Sequence, residues 1–159
     1  MICYLSVRNN TIYIGDMQPG DREATPEEIR AHFGDPLDNA RAAALPALRE
    51  KRKAVEYGGF TFQSQRWDSA EKDELRLNSM LKMFELAGLT EFPGWKIAEG
   101  VYITATPEII QGAAIALMQH YAAAFAVEAA KAVEINALTT AEAVQVWLAT
   151  ELDTGWSNG

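Results

Sequence analysis

The chain has 159 residues with 48% hydrophobic and 23% charged residues, and its net charge is −8. This length suits one domain with an ordinary core, and this composition excludes a disordered chain. The negative charge opposes a general nucleic-acid or anionic-membrane role, so we expect neither kind of partner. The single cysteine, Cys3, cannot form an internal disulfide. Packing must therefore stabilise the fold, and a reduced compartment is expected.

The first third of the chain predicts a hairpin, a loop and a short capped helix. Strands are expected from Ile2 to Val7 and from Thr11 to Gly15, because asparagines at the intervening turn tolerate left-handed backbone. A loop is expected from Asp16 to Glu23. Thr25 then predicts a helix start, since Pro26 suits the first helical position and Glu28 completes a capping box. That helix should stop at Gly34.

A second helix is predicted from Pro36 to about Glu56, with Pro46 inside it. Proline removes a backbone donor and crowds the preceding turn, so we expect a kink or break within residues 41–45. This expectation divides the chain into three parts. Residues 1–45 form an N-terminal hairpin and helical arm, 46–153 form an α+β domain, and 154–159 form a flexible tail.

Two more hairpins are each predicted to lead into a helix. The first has strands 60–62 and 65–67, a capping box over 68–71, and a helix that ends at Gly88. The second has strands 95–98 and 101–104, and it leads into an alanine-rich helix from Thr106 to about Asn136. A further capping box at 139–142 begins a last helix. The middle helix should bury Leu77, Met80, Leu81 and Phe84 and expose Lys72, Asp73, Arg76 and Lys82. The predicted fold class is α+β, in which short β-hairpins lead into helices and a C-terminal helical core surrounds one long alanine-rich helix.

Catalytic chemistry has little support in this sequence. His32, near a helix end, is expected to be solvated. His120 is expected to lie at a helix edge, since no cysteine, histidine or carboxylate pair stands at metal-ligand spacing near it. Cys3 is expected to be a buried, inert thiol. The basic run over residues 49–53 is interpreted as a solvated helix face, with a phosphate patch as the alternative. We therefore expect a non-enzymatic protein with no catalytic residue, no cofactor and no metal.

Aromatic residues and the long helix are the candidates for partner binding. Trp156 is the first candidate, because exposed tryptophan is costly unless it docks; docking onto its own domain is the open alternative. The other candidates are Trp147, Trp95, Tyr102 and Trp67. The tryptophans among them have an alternative role as core or sheet cover. The stretch from Gly112 to Val127 is apolar on nearly every side and is too short and alanine-rich for a membrane span. It predicts either the central helix of the domain or a helix that packs against another chain.

The stretch from about Arg49 to Trp147 resembles a domain of unknown biochemical activity found in bacteriophage and prophage tail proteins. The matching residues are Arg52, the block Glu56-Tyr57-Gly58-Gly59-Phe60-Thr61-Phe62, Arg66-Trp67-Asp68-Ser69, Trp95-Lys96, Glu99-Gly100, Val101-Tyr102-Ile103-Thr104 and Leu138-Thr139-Thr140. Small acidic stand-alone versions look like tail-fibre assembly proteins, which are chaperones that help a fibre to trimerise.

The resemblance implies a tail-fibre assembly chaperone of a phage, prophage or phage-tail-like particle. Its partner would be the tail-fibre protein, and a homo-oligomer is a further expectation. The expected location is the bacterial host cytoplasm during assembly, or association with the virion. The alternatives are a structural tail or collar subunit of the virion, and a small phage-encoded inhibitor of a host defence protein.

Overall fold

A computed structural model describes residues 2–6 and 8–156 of the chain. Val7, predicted to end the first strand, and residues 157–159 of the predicted tail lie outside the described residues. The described part contains three small antiparallel sheets and five α-helices. These elements confirm the predicted α+β class, with hairpins that lead into helices and one long helix near the C-terminus.

The N-terminal sheet has one more strand than predicted. Strands β1 (Cys3–Leu5) and β2 (Ile12–Ile14) pair antiparallel, as expected. Strand β3 (Arg22–Glu23) pairs with the other edge of β1, inside the segment predicted to be loop. The loop prediction was wrong there because β3 is held by backbone pairing and has no alternating apolar pattern. The sheet order is β2-β1-β3, and Cys3 is buried in it, as expected.

Helix α1 (Pro26–Phe33) begins with the predicted capping box. The Thr25 hydroxyl accepts from the Glu28 backbone N–H, and the Glu28 carboxylate accepts from the Thr25 backbone N–H at 2.9 Å. Arg22 on β3 also donates to both oxygens of that carboxylate. One carboxylate therefore joins the third strand to the first helix.

This pairing predicts an unusually acidic Glu28. The Arg22 guanidinium, helped by the Thr25 N–H, lowers the pKa of Glu28 from 4.5 to about 2. The pKa is lower in the folded state, so the stabilisation is complete above pH 4.5 and is lost as the pH falls through about 2. Arg22→Gln is expected to raise the Glu28 pKa by about one unit or more, measured by NMR titration of its side-chain carbon. Arg30→Gln, which removes an ion pair with Asp35 instead, is the control. Equal Glu28 titration in the wild type and Arg22→Gln would contradict the assignment.

Helix α2 (Pro36–Glu56) is capped by Asp35 and runs through Pro46 without interruption. A break over residues 41–45, one of the two expectations, was therefore wrong; the other, a kink there, stays a prediction. Ala44 and Leu48, on either side of Pro46, are both almost completely buried, and this packing holds the helix together where one backbone hydrogen bond is missing. The predicted division of the chain after residue 45 falls inside this helix and stays a prediction.

The second hairpin lies where it was predicted, and the third includes its predicted strands but begins three residues earlier. Strands β4 (Phe60–Phe62) and β5 (Gln65–Trp67) turn at Gln63 and Ser64, whose positive φ values of 50° and 60° are those of a type I′ turn. Strands β6 (Phe92–Ala98) and β7 (Val101–Ala105) form the third hairpin. The Asp68 N–H donates to the Ile97 carbonyl at 2.8 Å and so joins the two hairpins.

Three helices follow the hairpins. Helix α3 (Glu71–Ala87) ends at Gly88 in the left-handed conformation, as expected. Helix α4 (Pro107–Ala137) is capped by Thr106, and α5 (Ala141–Thr150) is capped by Thr140. Leu77, Met80 and Phe84 of α3 are buried as predicted, but Asp73, which was expected on the wet side, is buried too.

Helix α4 connects two separate hydrophobic clusters. At 31 residues it is about 46 Å long. Its first half packs against the second and third hairpins and α3 in the first cluster, and its end packs with α2 and α5 in the second. The first cluster is Phe60, Trp67, Leu77, Met80, Phe84, Trp95, Ile97, Ala105, Ile110, Ala113 and Leu117; the second is Ala44, Leu48, Ile135, Val144 and Trp147. The central-helix interpretation of α4 is therefore correct.

Candidate binding surface

The block that carries the resemblance forms a structural connection between α2, the second hairpin and α4. The Ser69 hydroxyl is buried, accepts from the Gly59 N–H at 2.7 Å and donates to the Glu56 carbonyl at 2.6 Å. The capping box predicted over residues 68–71 was wrong, because α3 has Ala70 at its N-cap and no side-chain cap. The serine hydroxyl instead satisfies the backbone where α2 ends.

Glycine is required at position 59 of this connection. Gly59 has φ +96°, and a Cβ there would lie 2.8 Å from the Trp67 carbonyl oxygen. Tyr121 of α4 completes the connection by donating from its hydroxyl to the Ser69 carbonyl at 2.6 Å. Burial, above all, raises the pKa of Tyr121 to about 12. The tyrosine therefore remains a neutral donor throughout the physiological pH range.

Arg52, from the basic run, is a buried structural cation. Its guanidinium forms an ion pair with Glu56 of the same helix. Its Nε also lies 2.7 Å from a carboxylate oxygen of Glu128 on α4, an ion pair whose geometry is not that of a hydrogen bond. The guanidinium also lies 4.2 Å from the ring centroid of Phe125. Arg52 was expected to be solvated, so that part of the prediction was wrong. It was missed because both α4 partners are more than 70 residues away in the sequence.

The remaining charges of the basic run are largely paired within the chain. Lys51 contacts Asp153 at 2.6 Å, and Lys53 contacts Glu50 at 2.9 Å. With Arg52 also held by two carboxylates, these three cations give little support to the alternative of a phosphate patch.

Buried titratable side chains elsewhere are held by backbone or ion contacts. His120 is buried with Nε2 3.0 Å from the Val55 carbonyl oxygen, so its predicted helix-edge position was wrong. Asp73 accepts from Arg76 at 3.1 Å, and Lys131 donates to the Glu151 carbonyl at 2.5 Å. His32 is exposed, as expected. Within residues 2–6 and 8–156, no three histidine, cysteine or acidic side chains group as metal ligands.

The five aromatic candidates are not gathered into one surface. Trp67, Trp95 and Trp147 are buried in the two clusters, which leaves them little surface for a partner. Trp156 packs against the second cluster and donates to the Leu152 carbonyl at 2.6 Å, so it docks onto its own domain. Tyr102 on β7 is 62% exposed. Of the five, Tyr102 alone offers most of its side chain to solvent.

An exposed apolar surface lies instead on the side of α4 that faces away from the core. We define the α4 outer face by its exposed apolar side chains: Ile115, Met118, Ala122, Phe125, Ala126, Ala129 and Val133. Its four large side chains are substantially exposed to solvent: Ile115, Met118, Phe125 and Val133 are 54%, 45%, 50% and 70% exposed. The sequence contained the signal, because the stretch is apolar all round, and contact of one of its faces with another chain was one of the two expectations for it.

A groove between α3 and α4 borders this face. It has a volume of about 450 Å³ and is lined by Leu81 of α3 and by Gln111, Ala114, Ile115, Met118, Gln119 and Ala122 of α4. The lining contains two amides and no charged side chain. Its size and chemistry suit the apolar side chains of a helix or an extended segment.

By length and composition, α4 would also be able to cross a membrane. One third of its most apolar 18-residue stretch is buried inside the chain. Core helices of water-soluble proteins meet the same criterion, so a single helix of this kind is weak evidence for a membrane span. The burial of Ile110, Ala113 and Leu117 instead identifies α4 as a core helix with one open face.

Comparison with known proteins gives a family and no activity. Residues 39–149 match the model of a domain of unknown function, DUF4376, which covers 111 of the 159 residues. No curated protein and no solved structure matches the chain. The match includes the Arg52 ion contacts, the Gly59–Ser69 connection and the whole α4 outer face. The chain belongs to the DUF4376 family.

Proposed function

We propose that this chain is a non-catalytic binding protein that uses the α4 outer face and the adjoining groove to hold another polypeptide. The observation that supports the proposal is the exposure of Ile115, Met118, Phe125 and Val133 on one side of a helix. Exposed apolar patches of several hundred Å² are typical of interaction sites, because isolated soluble proteins rarely leave them open. A partner that covers these side chains gains the free energy of removing them from water.

The partner that we propose is a phage or prophage tail-fibre protein, with this chain as its assembly chaperone in the host cytoplasm. The partner's identity rests on the resemblance to phage-tail domains. The groove supports a binding role of this kind, because an assembling fibre exposes apolar segments before its chains associate. A groove without charge accepts such segments with little sequence preference.

Co-expression with the tail-fibre protein of the same genome tests this proposal. We expect fibre solubility and trimer yield to depend on the chain, and the two proteins to co-purify. Met118→Glu is expected to reduce the co-purified fibre by about tenfold or more, because it places a charge in an apolar contact. Met17→Glu, at a methionine that is 56% exposed in the N-terminal loop, is the matched control. A fibre that folds and trimerises equally well without this chain would refute the proposal.

A structural tail or collar subunit is the second candidate, because the same open face also suits a permanent subunit contact. Mass spectrometry of purified particles separates the two roles. A chaperone is expected to be absent or substoichiometric, whereas a structural subunit is expected at a fixed copy number.

A further inference from the structure

The α4 outer face has the spacing of a helix-pairing seam. Ile115, Met118, Ala122, Phe125 and Ala129 follow one another at intervals of three, four, three and four residues. This is the repeat of a coiled-coil seam. The core side of α4 has its own stripe at similar intervals, on the opposite side of the helix. One helix therefore carries two apolar seams, and only one of them is covered within the chain.

The absence of charge on the open seam limits what covers it. The exposed side chains of α4 between residues 109 and 133, all of them described, include no charged group. Glu128 and Lys131 lie in this range, but Arg52 and the Glu151 carbonyl hold them against the chain. The whole chain has a net charge of −8, so two copies repel each other over most approaches. A contact between two copies over this face would bring no exposed carboxylate of residues 109–133 against another.

The sizes of the side chains fit an antiparallel arrangement with a second copy. If two α4 helices cross at the level of residue 124, Ile115 lies opposite Val133 of the second copy, and Met118 lies opposite Ala130. Ala122 then lies opposite Ala126, where the two helices approach closely. The closest approach is therefore between alanines, Met118 meets a small residue, and the branched Ile115 and Val133 meet at the two ends of the contact. The two helix dipoles run in opposite directions.

We infer that the chain forms a weak, reversible homodimer through antiparallel contact of the α4 outer faces. The α4 outer face from Ile115 to Val133 is about 27 Å long, and a helix is about 11 Å wide. It therefore covers about 300 Å² per copy and about 600 Å² in total, below the roughly 1,200 Å² of stable interfaces. Such a dimer dissociates readily, which leaves the face available to another partner. The inference goes beyond the proposed function, because it concerns the chain on its own.

Sedimentation velocity of the purified chain tests the dimer over about 10 µM to 1 mM, a range suited to weak association. We expect the weight-average mass to rise with concentration towards two chains. Ala126→Glu is expected to keep the mass at one chain, since the substitution places a charge at the centre of the seam. Ala43→Glu, at an exposed alanine of α2, is the matched control and should behave as the wild type. Alanine and glutamate are both good helix formers, so neither change should unfold the chain.

Cysteine cross-linking tests the orientation, in a Cys3→Ala background. An equimolar mixture of Ala122→Cys and Ala126→Cys chains is expected to form a disulfide-linked dimer more readily than either variant alone. Two copies of residue 126 would be about 10 Å apart in the antiparallel contact, too far for a disulfide. Faster linkage of Ala126→Cys with itself would overturn the antiparallel arrangement.

The dimer and the fibre contact are separable by experiment. A mass of one chain at every concentration, or equal association of Ala126→Glu and the wild type, would overturn the dimer and leave the fibre proposal standing. Recovery of the chain on neutral lipid vesicles, lost in Ala126→Glu, would identify a membrane surface as the occupant and also overturn the dimer. Lys and Arg side chains, which favour lipid surfaces, are absent from the exposed side of α4 over residues 109–133.

Discussion

Replacing Arg52 with methionine is expected to destabilise the folded protein by about 3–5 kcal/mol. The substitution keeps much of the side-chain volume but leaves Glu56 buried, and Glu128 mostly buried, without their cation. An uncompensated buried carboxylate loses the water that solvates it in the unfolded chain and gains no partner in exchange. Because Arg52 joins α2 to α4, its loss also weakens the contact between these two helices. Equilibrium urea unfolding measures the effect as a lower midpoint at an unchanged slope.

Lys53→Met is the matched control for this experiment. Lys53 is the next residue along α2 and also forms an ion pair, but its side chain is 43% exposed and its partner Glu50 is 69% exposed. Exposed pairs contribute about 0–1 kcal/mol, so this change should be nearly neutral. The double variant Arg52→Met with Glu56→Gln is expected to recover part of the lost stability, because it removes one of the two orphaned charges. Equal unfolding free energies for Arg52→Met and Lys53→Met would contradict a structural role for Arg52.

Local signals in the sequence predicted most of the secondary structure. Thr25 with Glu28, Thr106 with Pro107, and Gly88 are caps whose effect needs only a few neighbouring residues, and the helices begin or end at these points. The second hairpin was found at its full extent, although its turn residues Gln63 and Ser64 are unusual for positive φ. Pairing of the flanking strands and their packing against α4 therefore outweigh the backbone preference of the turn.

Contacts between distant residues explain the errors. The residues around Ser69 fit a helix-capping pattern. Its hydroxyl instead hydrogen-bonds to the backbone of Gly59 and Glu56, which lie 10 and 13 residues earlier in the sequence. His120 is bound to the Val55 carbonyl, 65 residues away. Neither partner is visible to an argument from neighbouring residues. The helical periodicity of α4 does predict the burial of His120 and Lys131, because both lie on the same side of the helix as the buried Leu117 and Ile135.

The binding surface was predicted in part. The apolar character of residues 112–127 was read from the sequence, and the alternatives were a central helix or a contact with another chain. The structure makes α4 central and leaves one apolar face open, so the two alternatives are compatible. The tryptophans do not mark this surface, because large aromatic side chains contribute most where they are buried. Three of the seven residues that define the open face are alanines, which contribute little individually.

Replacing Phe60 with alanine is expected to cost about 3–5 kcal/mol of unfolding free energy. Phe60 is 1% exposed and lies in the first cluster, with ring centroids 6.2 Å from Trp67 and 6.3 Å from His120. Truncation leaves a cavity beside two large rings that cannot move without disturbing α4. The magnitude is measured by urea unfolding. Tyr102→Ala, at an aromatic residue 62% exposed on β7, is the control and should change stability by less than about 0.5 kcal/mol.

The same variant tests whether the two clusters unfold together. Because α4 is one continuous helix through both, loss of Phe60 should accelerate amide hydrogen exchange in α5 as well as in α3, although α5 packs in the other cluster. Faster exchange confined to α3 and the hairpins would mean that the second cluster, built by Leu48, Ile135 and Trp147, is stable on its own. Coupled exchange would mean that α4 transmits any change in one half of the protein to the other. A partner that binds the outer face of α4 would then stabilise both clusters at once.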